Sequence, residues 1–172
     1  MKKYQIIYAD PPWKYDFAPS KKTAIEQYYP TMTTDDICRL DLPTDKNAAL
    51  YLWATAPKLL DALKVMSSWG FMYKTSAVWD RDCIGMGYWF LGQHDLLLVG
   101  TKGKISPPRA KFRVSSIYTE KKKIHGKKPD YFRDLITRSF PTENKLELFA
   151  RQKVDGWDAW GNEIESDIRI GE

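Results

Sequence analysis

The residues best suited to chemistry lie at the end of a short apolar segment near the start of the chain. Residues 4–9 read Tyr-Gln-Ile-Ile-Tyr-Ala, and Asp10, Pro11, Pro12 and Trp13 follow directly. β-Branched and aromatic side chains favour a buried strand, and two successive prolines can continue neither a strand nor a helix. The strand must therefore end on a carboxylate, two exposed prolyl carbonyls and an indole. In an open α/β sheet, ligands bind at this carboxyl edge.

This combination of groups suits a planar ring that carries an amine. The Asp10 carboxylate and the Pro11 carbonyl are acceptors, and together they could receive both hydrogens of an NH₂ group. Trp13 offers a flat face on which a base can stack. The pattern therefore predicts a socket for an exocyclic amine. The structural alternative is a strand followed by a rigid turn, with Trp13 filling the core.

The Asp-Pro-Pro-Trp sequence of residues 10–13 resembles the motif of amino-group methyltransferases that use S-adenosyl-L-methionine. This version is typical of the MT-A70 family of adenine N6-methyltransferases, which includes the messenger-RNA methyltransferase catalytic subunit and many small bacterial and phage members. The resemblance runs from Ile7 to about Glu163. It implies N6-adenine methylation of nucleic acid, with S-adenosyl-L-methionine as the cofactor. Asp10, Pro11, Pro12 and Trp13 would be the catalytic residues.

Two further segments match positions that line the substrate pocket in the family. Residues 29–32, Tyr-Pro-Thr-Met, match its Tyr-x-Thr-Met segment, which makes Tyr29 a candidate second aromatic face. His94 and Asp95 match a His-Glu or similar pair that places an acid near the base. Asp replaces the usual Glu here, and a His before a strand is usually structural, so their direct contact with the base stays open.

The cofactor residues implied by the resemblance come late in the chain. Lys128 precedes Pro129 at the predicted start of a helix, where it would meet the anionic carboxylate of the cofactor. The segments Glu-Leu-Phe-x-Arg and Gly-Asn-Glu mark the rest of the cofactor pocket. As a set, the predicted cofactor-binding residues are Asp10, Lys128, Glu147, Phe149, Arg151, Gln152, Asn162 and Glu163.

The elements that must position these residues alternate between strands and helices. Residues 48–54 and 96–100 are predicted buried strands, and residues 72–79 and 113–119 are further predicted strands. Helices are predicted after Thr33, Pro57 and Pro129. No G-x-G-x-x-G follows the first strand. We therefore expect one α/β domain over residues 1–172, with a Rossmann-like S-adenosyl-L-methionine-dependent methyltransferase fold. Its order is permuted, with the catalytic motif first, and its mixed, mostly parallel sheet carries helices on both faces.

The charge of the chain permits a polyanionic partner. The net charge is +5 and the pI about 9.1. Basic residues concentrate between Thr101 and Lys128, and they predict a surface that contacts the phosphates of DNA or RNA, although a solvated loop is the alternative. The residues assigned to this surface are Lys102, Lys104, Arg109, Lys111, Arg113, Lys121, Lys122 and Lys123.

Several other classes of protein are disfavoured. No apolar segment approaches the length of a membrane span, and the N-terminus does not resemble a signal peptide. Cys38 and Cys83 are too few for a disulfide framework or a zinc site, and no metal cluster is visible. We therefore expect a protein of the bacterial or phage-infected cytoplasm, with no membrane partner. Whether it forms a homodimer or needs a partner subunit stays open.

DNA is favoured as the substrate, because the chain is short and resembles small bacterial and phage enzymes. The alternatives are an RNA adenosine N6-methyltransferase, a catalytically inactive homologue that binds nucleic acid, and methylation of another amine. A basic nucleic-acid-binding module without activity is a further alternative. The intact motif at residues 10–13 argues against an inactive copy.

Overall fold

Seven strands and three helices make up the regular structure of this computed structural model, which describes residues 2–15, 30–121 and 127–171. The strands are β1 (Tyr4–Ala9), β2 (Thr44–Thr55), β3 (Met72–Asp80), β4 (His94–Lys102), β5 (Ile117–Thr119), β6 (Lys145–Leu148) and β7 (Asp158–Trp160). The helices are α1 (Thr34–Arg39), α2 (Leu59–Ser68) and α3 (Asp130–Ser139). The predicted strand over residues 113–119 is shorter in the structure, where only β5 pairs.

All seven strands form one sheet in the order β5-β3-β4-β2-β1-β6-β7. Only β4 runs antiparallel to its neighbours, and every other pair is parallel. The predicted mixed, mostly parallel sheet is therefore confirmed. Since β4 is reversed, its first residues lie at the edge where the other strands end. Thr55, at the end of β2, pairs with Asp95, and Asp80, at the end of β3, pairs with His94.

Helices cover both faces of the sheet, as predicted. One core cluster joins Ile37 of α1 and Val65 of α2 to Ile7 and Leu50 of the sheet. The other cluster places α3 against the opposite face, to which Tyr8 and its alternating neighbours point. The central strands β1 and β2 are thus buried on both sides, as expected of parallel strands, whereas the first residues of β3 are exposed.

Local sequence explains where two of the helices begin and end. The hydroxyl of Thr33 accepts a hydrogen bond from the backbone N–H of Asp36, which caps α1. α2 follows a 3-10 turn that contains Pro57, and it ends before Gly70, whose φ of +80° is a left-handed conformation that favours glycine. Among the described residues, no helix is long and apolar enough to cross a bilayer.

Candidate active site

The carboxylate of Asp10 lies at the carboxyl edge of the sheet, directly after β1. β1 pairs in parallel with β2 on one side and with β6 on the other, so the ends of three strands meet here. The ammonium of Lys128 donates to both carboxylate oxygens of Asp10, at 2.9 and 3.1 Å. Lys128 belongs to the segment just before α3. A residue of the predicted catalytic motif and a predicted cofactor-binding residue therefore form one ion pair.

Lys128 also faces a second carboxylate. Its ammonium lies 3.8 Å from Oδ2 of Asp95, and it stands over the ring of the buried Trp53 at 5.5 Å from the centroid. Asp95 is itself buried, and its Oδ1 has no hydrogen-bond partner among the described residues. The guanidinium of Arg81 lies 3.9 Å from that oxygen. Lys128 is thus the centre of a charged cluster that includes both acids.

His94 differs from its neighbour Asp95 in placement. Its side chain is exposed at the start of β4, where its backbone pairs with Asp80 across the sheet. The buried member of the predicted pair is therefore the carboxylate, which lies beside Lys128.

Both prolyl carbonyls of the motif already accept backbone hydrogen bonds. The carbonyl of Pro11 accepts from the N–H of Trp13 at 2.9 Å, and that of Pro12 accepts from the N–H of Met32 at 2.8 Å. The prediction of two exposed prolyl carbonyls at the strand end is therefore wrong, because Pro11 is buried and both carbonyls have backbone partners. The turn folds back on itself and against the segment at Met32. A carbonyl oxygen has two lone pairs, so Pro11 retains one acceptor position.

Trp13 is part of the core, and this corrects the prediction of a stacking face. The residue is only 5% exposed and packs in the cluster beneath the sheet edge. Its indole N–H donates to the backbone carbonyl of Trp53 at 3.1 Å. A ring buried in this way has no free face for a base. Trp13 instead fixes the turn that carries Asp10, which is the structural alternative raised by the sequence.

The predicted substrate segment at residues 29–32 meets the motif through its last residue. Trp13 and Met32 form an isolated parallel bridge, and the N–H of Lys14 donates to the Met32 carbonyl at 3.1 Å. The predicted aromatic face, Tyr29, lies outside the described residues.

A cleft of about 250 Å³ opens beside Asp10. Its wall consists of the ends of β1 and β6, the start of α3, and the turns on either side of β7. Seven of the eight predicted cofactor-binding residues line it, namely Asp10, Lys128, Glu147, Phe149, Arg151, Gln152 and Glu163. The eighth, Asn162, is exposed next to Glu163 and does not line the cleft. The structure thus brings together residues that are far apart in the chain.

Arg133 of α3 holds the acidic side of this cleft. Its guanidinium donates to both carboxylate oxygens of Glu147, at 3.3 and 3.2 Å, and also to Asp130. Burial raises the pKa of the Glu147 carboxyl, and the charge of Arg133 acts in the opposite direction. Arg133 does not feature in the sequence prediction. The signal that could have found it is its place beside Phe132 on the apolar face of α3, where a charge needs a buried partner.

The turn after β6 has a strained backbone. Phe149 has a φ of +60°, which is uncommon for a residue other than glycine, and such residues cluster at ligand sites. Its ring packs edge-on against Trp160, with the centroids 5.4 Å apart. A Cβ at Gly161 would lie 2.2 Å from the carbonyl oxygen of Ala150. Gly161 is therefore required by close contact with its own chain.

Arg151 and Glu163 form the outer rim of the cleft. The Nε of Arg151 lies 3.3 Å from the Glu163 carboxylate, and both side chains remain open to solvent. Gln152 is exposed beside them. This rim offers both signs of charge and an amide to a polar ligand.

The predicted basic surface is divided by the fold. Lys102 donates to Thr44, and the backbone N–H of Lys104 donates to Asn47, so both lie near the start of β2. Lys102 lies about 23 Å along β4 from Asp95, which is at the site edge of the sheet. Lys102 and Lys104 therefore do not share a surface with Asp10. The reversed direction of β4 explains this difference.

The remaining basic residues lie beside α3, beside Lys128 or outside the described part. Arg109, Lys111 and Arg113 are exposed around a 3-10 turn beside α3. Lys121 lines a second depression of about 160 Å³ together with Lys128. The other two members of the predicted surface, Lys122 and Lys123, lie outside the described residues.

A mostly parallel sheet with an acid, a lysine and a polar cleft at its carboxyl edge is typical of α/β proteins that bind nucleotide-like ligands. The family model described as MT-A70 matches residues 4–163. The chain belongs to the MT-A70 family. This membership confirms the predicted family, fold class and adenine N6-methyltransferase activity. Methyltransferases of this family use S-adenosyl-L-methionine.

Individual relatives differ in length and similarity. The type II methyltransferase M.MunI from Mycoplasma sp is 38% identical over 183 residues, which cover 95% of this chain and 78% of that protein. The N6-methyladenosine RNA methyltransferase MTA1 of Pyricularia oryzae is 29% identical over 187 residues, 94% of this chain and 47% of its own length. Human METTL3, an N(6)-adenosine-methyltransferase catalytic subunit, is 25% identical over 174 residues, 95% of this chain and 28% of its own length.

Proposed function

We propose that this chain transfers a methyl group from S-adenosyl-L-methionine to the N6 amine of adenine in DNA. The observation that carries the proposal is the position of Asp10, whose carboxylate stands at the head of a cleft lined by Lys128, Glu147 and Phe149. An acceptor for an amine and a cleft for a charged nucleoside derivative thus share one sheet edge.

The residues of the cleft fit the cofactor by their chemistry. Lys128, just before the N-terminus of α3, would pair with the cofactor carboxylate. Glu147 and Glu163 are acceptors that suit ribose hydroxyls, and Phe149 offers an apolar ring. S-adenosyl-L-methionine, when bound, supplies an electrophilic methyl group on a sulfonium centre.

Asp10 would act on the amine. The lone pair of an adenine amine is delocalised into the ring, which makes it a poor nucleophile. Hydrogen bonds from its two N–H groups to Asp10 and to the remaining lone pair of the Pro11 carbonyl would localise that pair and aim it. Trp13 would contribute by fixing the turn. No strong base is needed before transfer, since the proton can leave the amine afterwards.

Lys128 would then serve both halves of the reaction. In the structure its ammonium donates to Asp10, and a cofactor carboxylate in the adjoining cleft would meet the same ammonium. A lysine has three N–H donors, so it can bind a carboxylate on each side. This arrangement would link cofactor binding to the readiness of Asp10 to accept the amine.

DNA is preferred over RNA on the strength of similarity. M.MunI is 38% identical and matches this chain over most of its own length, and its type II designation is one used for DNA modification enzymes. The relatives named as adenosine methyltransferases, including METTL3 and MTA1, are 29% identical or less. RNA adenosine methylation is the second candidate function, which those relatives favour.

Methyl transfer to matched DNA and RNA pools tests both candidates. The protein is incubated with labelled S-adenosyl-L-methionine and each pool, and the nucleosides are then identified by mass spectrometry. N6-methyldeoxyadenosine in the DNA pool alone supports the proposal. N6-methyladenosine in the RNA pool alone supports the second candidate. Cofactor binding with no transfer to either pool supports an inactive homologue or one that needs a partner subunit.

A further inference from the structure

The connection between β3 and β4 presents an unusual group of apolar side chains to solvent. We call residues 84–91 the aromatic hairpin. Within it, Tyr88, Trp89 and Phe90 are 81%, 95% and 90% exposed. Their large exposed apolar surface is costly in water unless something covers it. No residue from 84 to 91 carries a charge.

The hairpin has a well-defined base. The backbone N–H of Gly85 donates to the Gly92 carbonyl at 2.8 Å, and the guanidinium of Arg81 donates to the same oxygen at 2.7 Å. The Asp80 carboxylate accepts from the Gln93 amide at 2.9 Å. These bonds hold the two ends of the segment together.

The tip itself is a tight turn. A Cβ on Gly87 would lie 1.9 Å from the carbonyl oxygen of Phe90, so only glycine fits there. A turn closed at this point directs the intervening side chains away from the chain, in agreement with the 95% exposure of Trp89. The rings of Trp89 and Phe90 are therefore open to solvent.

The base of the hairpin is in contact with the site. Arg81 lies 3.9 Å from Asp95, Asp95 lies 3.8 Å from Lys128, and Lys128 binds Asp10. The hairpin thus rises from the same sheet edge as the proposed acceptor for the adenine amine.

We propose that the aromatic hairpin inserts between the stacked bases of duplex DNA and occupies the space that the target adenine leaves. This inference rests on the proposed function, because a base held at Asp10 must first leave the duplex. Aromatic rings stack on any base, and apolar side chains are the groups that proteins insert into base steps. Removing a charged tip from water would cost much free energy, and the tip between Ile84 and Leu91 carries no charge.

Exposed apolar residues are also typical of protein interfaces, so a second copy of this chain is the competing occupant. Two observations favour nucleic acid. The contacts of Arg81 and Lys128 with Asp95 join the base of the hairpin to the proposed substrate site. Exposed cations lie on nearby elements of the same edge, including Lys121, which lines the depression next to Lys128. Such cations suit a phosphate backbone.

The test is a double variant, Trp89→Ala with Phe90→Ala, compared with Met72→Ala as a control. Met72 is also an exposed apolar residue, but it lies at the start of β3, at the opposite edge of the sheet. Methyl transfer is measured on an unmethylated plasmid, both as native duplex and after heat denaturation. We expect the double variant to lose about tenfold or more in kcat/KM on the duplex and less than about threefold on denatured DNA. The Met72→Ala control should resemble wild type on both.

A binding measurement makes the test independent of turnover. Wild-type protein should prefer a duplex that carries one abasic site over the intact duplex, because the abasic site supplies the gap. In the double variant, the ratio of the two dissociation constants should be about tenfold closer to one. If this preference is found although wild-type protein transfers no methyl group, the hairpin inference stands and the proposed function fails.

Three results would overturn the inference. One is an unchanged kcat/KM on duplex DNA with an unchanged preference for the abasic site. Another is an equal loss on duplex and denatured DNA. The third is a wild-type dimer in sedimentation that becomes a monomer in the double variant while the preference for the abasic site persists. This last result would assign the hairpin to self-association. Thermal unfolding of the double variant should match wild type, since the replaced side chains are exposed.

Discussion

Lys128 holds both carboxylate oxygens of Asp10, at 2.9 and 3.1 Å, although 118 positions separate the two residues in the chain. The pair joins the first motif of the sequence to a late one. It does so because the end of β1 and the start of α3 meet at the same sheet edge. A permuted order, with the catalytic motif first, is therefore compatible with one compact site.

The first prediction concerns the cofactor affinity that Lys128 provides. Lys128→Ala removes a charge-assisted partner of the cofactor carboxylate, and we expect the dissociation constant for S-adenosyl-L-methionine to rise by about tenfold or more. Lys64→Ala is the matched control, because Lys64 lies on α2 and forms an exposed ion pair with Asp35. Isothermal titration of both variants measures the effect. An unchanged dissociation constant in Lys128→Ala would remove this lysine from the cofactor site.

The second prediction separates the two roles considered for Trp13. Trp13→Phe keeps an aromatic ring but removes the N–H that donates to the Trp53 carbonyl. Because that carbonyl is buried, we expect the free energy of unfolding to fall by about 1–3 kcal/mol, measured by urea denaturation. kcat/KM should fall in parallel, since the turn that carries Asp10 loses its anchor. An unchanged free energy of unfolding would show that the indole does not fix the turn.

The third prediction follows from the pKa of Glu147, which burial raises. A carboxyl with a raised pKa in the folded state contributes stability that is complete below its unfolded pKa and is lost as the pH rises through the folded pKa. Glu147→Gln stays neutral and escapes that loss. Its free energy of unfolding should therefore increase relative to wild type as the pH rises above about 4.3, the ordinary pKa of glutamate.

Urea denaturation of both proteins across this pH range gives the comparison. The same variant should also bind S-adenosyl-L-methionine more weakly, if the Glu147 carboxylate accepts from ribose hydroxyls. A difference in unfolding free energy that does not change with pH, or that reverses, would contradict the effect of burial.

The fourth prediction concerns the backbone behind the cleft. Gly161→Ala would place a Cβ 2.2 Å from the carbonyl oxygen of Ala150, and backbone atoms in a strand-like contact cannot move aside cheaply. We expect the free energy of unfolding to fall by about 1–3 kcal/mol. Gly171→Ala is the control, because a Cβ there has nothing within 4 Å. Equal stability of the two variants would contradict this reading of the turn.

Local sequence predicts much of this fold. The apolar residues 4–9 and the prolines that follow define β1 and its end, and Pro129 marks the start of α3. The residues of the cleft, such as Glu147 and Lys128, were found through family resemblance, and the fold brings them together.

The features that the sequence did not predict have a common physical cause, which is packing between segments distant in the chain. The burial of Trp13 depends on the Trp53 carbonyl, and the partner of Pro12 depends on Met32. The apolar pattern of β4 does not reveal its direction, so the sequence could not show that Lys102 lies away from the site. The sequence of α3 does not reveal that Arg133 pairs with Glu147, because Glu147 lies on another element.

The central claim is that the Asp10 carboxylate receives the adenine amine, and Asp10→Asn tests it most directly. The variant keeps the shape of the side chain but removes its charge and one acceptor. Single-turnover methyl transfer to DNA is measured, and the cofactor dissociation constant is determined on the same samples. Asp41→Asn serves as control, because Asp41 precedes β2 at the opposite edge of the sheet. We predict a loss of about 10²–10³-fold in the transfer rate, with S-adenosyl-L-methionine still bound. Transfer at the wild-type rate by Asp10→Asn would contradict the mechanism.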